Sequence, residues 1–218
     1  MSPARQISRL LELSPEQDRL VGELIMCREF AGPREVCAAL SEVVPLSRQH
    51  EELLARLWLE QENAAVEIPG AAAAVRRARE LGYVVGLVSD IWVPYYRAFL
   101  RACPGIAALV EYAALSFRVG RKKPAEKLFR AALEALDADP RRSVMIGDTY
   151  EKDILPAKKL GLATIWVLSR PEREYPAMAR VLWDEWPRPD FIVPGTAQLA
   201  RVLEELAKKE RYTCVWKY

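Results

Sequence analysis

The fold is indicated by residues 143–154, which read Ser-Val-Met-Ile-Gly-Asp-Thr-Tyr-Glu-Lys-Asp-Ile. The short apolar run that begins this stretch ends in the turn signal Gly147-Asp148, a pattern typical of a buried parallel strand. A second aspartate, Asp153, follows five residues after Asp148. Two carboxylates with this spacing can hold a hard divalent cation through oxygen ligands. The stretch therefore predicts both a buried strand and a candidate site at its carboxyl end.

The same alternation of strand and helix extends outward on both sides of this stretch. Further apolar runs predict strands at 83–88, 112–115, 163–168 and 191–193. The segments that predict helices are 71–81, 95–102, 125–136, 154–160 and 196–208. Strands that alternate with helices imply right-handed crossovers and a parallel sheet covered on both faces. We therefore predict a three-layer, doubly wound α/β core over residues 67–218.

Residues 1–66 have a different sequence pattern, which predicts an all-helical cap. Apolar residues recur there at spacings of three and four, and no strand pattern precedes residue 82. Three helix starts are signalled by Ser14-Pro15, Gly32-Pro33 and Ser47-Arg48, because each places a capping residue or a proline at a first turn. We expect four short amphipathic helices.

Composition excludes several classes of partner. The 218 residues are 51% apolar and 28% charged, and Lys and Arg exceed Asp and Glu by only 2, so no basic footprint for nucleic acid is present. No apolar signal core and no membrane-length apolar run occurs, so we expect no membrane association and a cytoplasmic location. The cysteines, Cys27, Cys37, Cys103 and Cys214, follow no metal-ligand pattern. Assembly of several copies stays open.

Polar side chains follow three of the predicted strands, where ligands bind in an open parallel sheet. Ser89 and Asp90 follow the first strand, Lys123 precedes a proline after the second, and Asp148 and Asp153 follow the third. A hydroxyl can donate to a phosphate oxygen, and a lysine supplies a compact cation to the same oxygens. We therefore predict phosphate binding by Ser89, Asp90 and Lys123, and magnesium binding by Asp148 and Asp153.

In their order and spacing, these motifs resemble the second, third and fourth signatures of the haloacid dehalogenase-like hydrolase superfamily. The resemblance implies a Rossmann-like core and a phosphatase-type activity. It also implies that Ser89 orients a phosphoryl group, that Lys123 stabilises the intermediate, and that Asp148 and Asp153 bind Mg²⁺. A metal-free dehalogenase is favoured less, because the acid pair suits a metal-dependent phosphoryl site.

Several of these residues have plainer interpretations. Lys122 is a rival to Lys123, and both belong to a basic run that would ordinarily be a solvated rim. His50, the sole histidine, is expected on a helix surface rather than in catalysis. Trp92 and its neighbouring tyrosines, Tyr95 and Tyr96, either line a pocket or pack in the core.

The superfamily's first signature, a strand that ends in Asp-x-Asp and carries the nucleophile, is missing. The only Asp-x-Asp in the chain is Asp137-Ala138-Asp139, which precedes Pro140 and predicts a helix-ending turn. Asp18 falls inside a helix, and Asp90 follows the strand that would hold phosphate. We therefore identify no catalytic nucleophile, and expect either a natural pseudoenzyme or a reading frame whose true start lies upstream.

The missing strand is also a structural problem, because the superfamily places it in the centre of the sheet. A gap there would leave two rows of unpaired backbone groups, each costing about 1 to 3 kcal/mol where buried. Three solutions stay open: the flanking strands pair directly, the C-terminal run Tyr212–Trp216 inserts between them, or another chain donates a strand. For that C-terminal run, an ordinary edge strand is the plainer interpretation.

Two functions of different class are consistent with these motifs. The first is a catalytically impaired protein that binds a small phosphorylated molecule, an anion or Mg²⁺, or that serves as an interaction partner. The second is a magnesium-dependent phosphatase whose nucleophile comes from an upstream segment or from a partner.

Overall fold

The computed structural model describes residues 3–209 and 213–216 of the chain, with side chains described for residues 3–208. The helices are α1 (Pro3–Leu10), α2 (Pro15–Cys27), α3 (Pro33–Ser41), α4 (Arg48–Gln61), α5 (Ala71–Glu80), α6 (Val93–Ala102), α7 (Pro104–Ala107), α8 (Ser116–Val119), α9 (Glu126–Ala135), α10 (Leu155–Lys159), α11 (Pro171–Leu182) and α12 (Leu199–Lys209). The strands are β1 (Val85–Ser89), β2 (Tyr112–Leu115), β3 (Ser143–Gly147), β4 (Ala163–Val167), β5 (Phe191–Val193) and β6 (Thr213–Trp216).

Three of the four N-terminal helices, α2, α3 and α4, begin where the capping signals predict. At the start of α2, the Ser14 hydroxyl accepts the N–H of Gln17, whose side chain accepts the N–H of Ser14. Ser47 and His50 make the same reciprocal pair at the start of α4. Each pair satisfies two backbone donors that a helix start leaves open. His50 therefore caps a helix, in agreement with its predicted surface role.

The strands form a six-stranded sheet in the order β2-β1-β6-β3-β4-β5. The pairs β1–β6, β6–β3, β3–β4 and β4–β5 are all parallel. Every residue of β1 and β3 is buried, as expected of strands covered on both faces. The predicted three-layer α/β fold with a parallel sheet is confirmed.

The C-terminal strand β6 occupies the central position of the sheet. Its backbone pairs with β1 on one side and with β3 on the other, so that Val215 lies level with Gly86 and Met145. Insertion of the C-terminal run, one of the three solutions left open by the sequence, is the one adopted, and the plainer interpretation of this run as an edge strand is wrong. Tyr212, the first residue of that predicted run, lies outside the described residues. Strands β1 and β3 therefore do not pair directly with each other.

The chain divides into two compact units. The first is helical and comprises residues 1–66, 90–102 and 115–122, and the second comprises residues 67–89, 103–114 and 123–218. The helical unit thus takes two segments beyond the predicted cap, because the chain leaves the core after β1 and again at the end of β2. The assignment of 1–66 and 67–218 as functional domains stays a prediction.

Several elements depart from the sequence-based expectation. The short helices α7 and α8 are not among the predicted helices. Helix α11 is not among the predicted helices, because Pro176 interrupts its sequence and the helix buries only Ala177 and Val181. The segment before α10 forms a π-helical turn, Tyr150–Ile154, where a loop leading into a helix is expected. No helix among the described residues is both long and apolar enough to cross a bilayer.

Candidate functional site

Strands β1 and β3 bring two candidate residues to the same edge of the sheet. Leu87, Trp216 and Ile146 form one row across β1, β6 and β3. Ser89 and Asp148 each follow that row by two residues. Since neighbouring strands lie about 4.8 Å apart, the register places their Cα atoms about 10 Å apart across the end of β6. This edge of the second unit is the candidate site.

Lys123 connects the two sides of this edge. Its Nζ donates to the carbonyl of Val88 in β1 at 3.3 Å and to Oδ1 of Asp153, which follows β3, at 2.7 Å. The Lys123 and Asp153 side chains are 1% and 0% exposed. The ammonium is thus held as a buried, hydrogen-bonded ion pair, which is the arrangement that a charge out of water requires.

The Asp153 carboxylate is held from two directions. Besides the bond from Lys123, its Oδ2 accepts the backbone N–H of Thr149 at 3.0 Å, while the Asp153 N–H donates to the Thr149 carbonyl at 2.8 Å. Gly147 allows this packing, because a Cβ at that position would lie 2.3 Å from the Cβ of Asp153. A glycine is therefore required sterically where β3 ends.

Asp148 has a cation of its own. Its Oδ2 accepts a hydrogen bond from Nη2 of Arg170, the residue that precedes α11. Its Oδ1 accepts from the Thr149 hydroxyl at 3.3 Å, and its backbone carbonyl accepts from the indole of Trp166, also at 3.3 Å. The Arg170 and Asp148 side chains are 46% and 23% exposed, so this ion pair lies nearer to solvent than the Lys123–Asp153 pair.

A second contact joins α11 to the segment that follows β3. The N–H of Tyr150 donates to Oε2 of Glu174 at 2.9 Å. The Tyr150 ring stacks on Trp186 at 5.2 Å and meets Trp166 edge to face at 5.1 Å. Burial raises the pKa of the Tyr150 hydroxyl, which donates to the carbonyl of Pro187. The segment after β3 is thus fixed by polar contacts and by an aromatic cluster.

The predicted residues are therefore only partly brought together. Ser89, Lys123, Asp148 and Asp153 all belong to the second unit, and Ser89 is buried at the end of β1. Lys123, rather than its rival Lys122, is the buried lysine; Lys122 belongs to the helical unit, where its Nζ lies 2.8 Å from Glu23. The turn interpretation of Asp137–Asp139 is confirmed, because α9 ends at Ala135 and the Asp137 N–H donates to the carbonyl of Glu134.

Asp90, the third predicted phosphate ligand, belongs to the helical unit. It lines a cavity of about 340 Å³ there. The other residues around this cavity are Pro3, Met26, Gln61, Ala64, Ile91, Trp92 and Tyr95. Trp92 also meets Trp58 edge to face at 5.5 Å, and its indole nitrogen has no hydrogen-bond partner among the described residues. Trp92 therefore both packs in a core and lines a cavity.

The donor set fits magnesium only in part. Carboxylate oxygen is the ligand that Mg²⁺ prefers. Each of the two predicted ligands, however, is already engaged by a cation of the chain, Asp153 by Lys123 and Asp148 by Arg170. Among the described residues, no three His, Cys, Asp or Glu side chains are grouped so as to hold a metal ion. The assignment of Asp148 and Asp153 to Mg²⁺ stays a prediction, and we derive no step through a metal.

Sequence reasoning missed Arg170. The residues after each strand end are where the other candidates were located, and the same rule applies to β4, which ends at Val167 three residues before Arg170. Because α11 is not among the predicted helices, the arginine before it had no structural context. Thr149 was also missed, because it holds Asp153 mainly through its backbone N–H and carbonyl, which a sequence pattern does not reveal.

Comparison with known proteins agrees with this architecture. The model of the haloacid dehalogenase-like hydrolase family matches residues 15–161. The chain is 38% identical over 101 residues to a glyceraldehyde 3-phosphate phosphatase of Pyrococcus abyssi, covering 46% of this chain and 42% of that protein. It is 30% identical over 141 residues to a phosphoserine phosphatase of Thermus thermophilus, covering 63% and 56%.

Among solved structures, a HAD phosphatase from Thermococcus onnurineus has a TM-score of 0.57 at 20% identity, with 92% of this chain and 86% of that chain covered. This similarity concerns the fold alone. The chain spans about half the length of the curated relatives it matches. Since the family model covers more than half of the chain, the protein belongs to the haloacid dehalogenase-like hydrolase family.

Proposed function

We propose that the chain binds a small phosphomonoester at the carboxyl edge of β1 and β3 and, with its own residues alone, does not hydrolyse it. The observation that carries this proposal is the buried ammonium of Lys123, held by Val88 and Asp153 at the edge where Ser89 and Asp148 lie. Desolvated cations of this kind interact strongly with oxyanions. We place this activity in the cytoplasm.

The ligand class is supported by the curated relatives. Glyceraldehyde 3-phosphate and phosphoserine, the substrates in their names, share a phosphate group on a small organic molecule. Ser89 would donate its hydroxyl to a phosphoryl oxygen, and Lys123 would supply positive charge to the same group. Which organic group carries the phosphate is not encoded by these residues.

The lack of turnover is inferred from the carboxylates. A covalent phosphotransfer needs a carboxylate positioned to attack phosphorus. Within the second unit, Asp153 is committed to Lys123 and to Thr149, and Asp148 accepts from Arg170 and Thr149. The central strand β6 is formed by Thr213–Trp216, which contains no carboxylate side chain.

The alternative is a magnesium-dependent phosphatase whose nucleophile comes from an upstream segment or a partner. The names of the curated relatives favour this alternative, and so does the half-length match to them. It carries a structural requirement, because a strand delivered between β1 and β3 would have to displace β6 from that position. An in-frame apolar strand ending in Asp-x-Asp in the upstream genomic sequence would favour it.

The test measures binding and turnover separately. Inorganic phosphate and glycerol 3-phosphate are titrated calorimetrically against the 218-residue chain, with chloride at equal ionic strength as the blank. Hydrolysis of p-nitrophenyl phosphate is followed with and without Mg²⁺, for this chain and for a version extended upstream. Binding without turnover supports the proposal, turnover only by the extended version supports the alternative, and absence of binding rejects phosphate recognition.

A variant pair locates the ligand. Ser89→Ala removes the hydroxyl at the end of β1, and we expect phosphate affinity to fall about tenfold, the value of one hydrogen bond to a charged group. Ser41→Ala, which removes an exposed hydroxyl at the end of α3, is the matched control. Equal affinity in the two variants would place the phosphate elsewhere.

A further inference from the structure

We infer that the carboxyl edge of the sheet binds its oxyanion without a divalent cation, because Lys123 and Arg170 supply the positive charge that a metal would otherwise bring. This inference rests on the proposed function and concerns which groups supply the positive charge at that site. It assigns to Arg170 a role in anion binding that the sequence motifs do not indicate.

The first step is the charge at the edge. The carboxylates of Asp153 and Asp148 contact the ammonium of Lys123 and the guanidinium of Arg170 respectively. The two ion pairs together carry no net charge, so these four side chains do not repel a phosphate. Without Arg170 the same group of residues would carry a net negative charge and would oppose an anion.

The second step is the availability of donors. A guanidinium has five N–H donors in a rigid fork, and Arg170 contacts Asp148 through Nη2. The Arg170 side chain is 46% exposed, so part of the fork faces solvent. Arginine pairs well with phosphate as well as with carboxylate, so one guanidinium can serve both Asp148 and a bound anion.

The third step is the position of the guanidinium. Arg170 immediately precedes α11, and α11 is tied to the segment after β3 through the Glu174 side chain and the N–H of Tyr150. The Tyr150 ring, packed between Trp166 and Trp186, holds this segment further. The guanidinium is therefore presented by an anchored backbone, which reduces the entropy lost when it holds an anion.

The consequence for metal binding is competition. A divalent cation that uses Asp148 must displace Arg170 from Oδ2. Removal of the guanidinium should therefore create a dependence on Mg²⁺ that the natural chain lacks. Arg170→Gln is the informative variant, Arg170→Lys retains the charge, and Arg173→Gln, which removes an exposed arginine from the first turn of α11, is the matched control.

The experiment uses the full chain and two probes, Mg²⁺ alone and inorganic phosphate. For the natural chain, we expect phosphate affinity by calorimetry to change less than about twofold between EDTA and about 5 mM Mg²⁺, and Mg²⁺ alone to leave the melting temperature unchanged. In Arg170→Gln, we expect phosphate affinity in EDTA to fall about tenfold and Mg²⁺ to restore most of it. Arg173→Gln should behave like the natural chain. Arg170→Lys keeps the charge but loses the fork of donors, so its phosphate affinity should fall less than in Arg170→Gln and should stay independent of Mg²⁺.

The possible failures are distinct. Phosphate binding by the natural chain that requires Mg²⁺ overturns this inference and leaves the proposed function intact. No phosphate binding by the natural chain under any condition rejects the proposed function, and this inference with it. If Arg170→Gln does not fold by circular dichroism, the comparison of EDTA with Mg²⁺ on the natural chain and on Arg170→Lys still decides, because a requirement for Mg²⁺ in either overturns the inference.

Discussion

Nζ of Lys123 lies 2.7 Å from Oδ1 of Asp153, and the two side chains are 1% and 0% exposed. The lysine follows β2 in the chain and the aspartate follows β3, so the pair joins two separate crossovers of the sheet at the edge where the candidate site lies. Because burial removes both charges from water, each charge depends on the other for compensation.

Removal of one partner of this pair should destabilise the protein strongly. We expect Lys123→Met or Asp153→Asn to lower the free energy of unfolding by about 3 to 5 kcal/mol, because each leaves an uncompensated buried polar or charged group. The double variant should lose clearly less than the sum of the two. Urea unfolding followed by circular dichroism measures all three.

The control is the exposed pair Arg188–Asp184, whose side chains are 69% and 73% exposed. Arg188→Met should change the free energy of unfolding by less than about 1 kcal/mol. Additive losses at Lys123 and Asp153 would contradict a coupled pair.

Gly147→Ala should disturb the same pair without removing a charge. The added Cβ would lie 2.3 Å from Cβ of Asp153 and 2.7 Å from its Oδ2, so the carboxylate must move away from Lys123 and Thr149. We expect a loss of about 2 to 4 kcal/mol, in the range of overpacking combined with a weakened buried ion pair. A loss of phosphate affinity should accompany it.

Gly105→Ala is the matched control, because a Cβ at Gly105 meets no atom within 4 Å. That substitution lies in α7 and should be neutral or slightly stabilising. Equal free energies of unfolding for the two alanine variants would show that the segment after β3 can shift to accept the added Cβ at little cost.

The sequence allows most of the fold to be predicted, because its signals are local. The strands 112–115 and 191–193 have the bounds that the sequence predicts, and the capping motifs at Ser14 and Ser47 locate two helix starts. Apolar runs and caps act within a few residues, so a single sequence contains them. The same holds for the order of the motifs that carry the family resemblance.

The features that could not be predicted depend on distant contacts. Lys122 and Lys123 are adjacent and chemically alike, yet one pairs with Glu23 in the helical unit and the other with buried Asp153. Arg170 contacts Asp148 across 22 residues of chain, from the position that precedes α11. The missing first signature indicates a gap in the centre of the sheet. The strand that fills this gap, β6, is determined by pairing between strands that are distant in the chain.

Proline in β6 should be far more harmful than proline in β5. Because the central strand β6 has a neighbour on each side, Val215→Pro removes a ladder hydrogen bond, and we expect a loss of about 3 kcal/mol or more. In the edge strand β5, the Val193 carbonyl accepts from Leu168 in the chain segment that continues β4. Since successive residues point their backbone groups to opposite sides, the N–H of Ile192 faces the open edge.

Ile192→Pro should therefore cost less than about 1 kcal/mol in the same urea unfolding experiment. Similar losses in the two variants would contradict a central position for β6. A milder effect at Val215 than at Ile192 would mean that β6 contributes little to the sheet in solution.

The thiol of Cys27 should be unusually slow to react with alkylating reagents. Burial, followed by the hydrogen bond from its Sγ to Oε2 of Glu23 at 3.4 Å, raises the pKa of Cys27 to about 11. Against an ordinary thiol pKa of 9.0, this shift leaves about a hundredfold less thiolate near pH 8. Because the pKa is raised, reactivity should keep increasing with pH well beyond the point where an exposed thiol has levelled off.

Glu23→Gln separates the two causes of this shift. It removes the carboxylate beside the thiol while Cys27 stays half-buried, so the pKa of Cys27 should fall and the rate of iodoacetamide modification at about pH 8.5, read by peptide mass spectrometry, should rise several-fold. Glu16→Gln, in the first turn of the same helix, is the control and should leave the rate unchanged. A rate in the natural chain equal to that of an unfolded cysteine peptide would contradict the raised pKa of Cys27, whereas a slow rate unaffected by Glu23→Gln would assign the whole shift to partial burial.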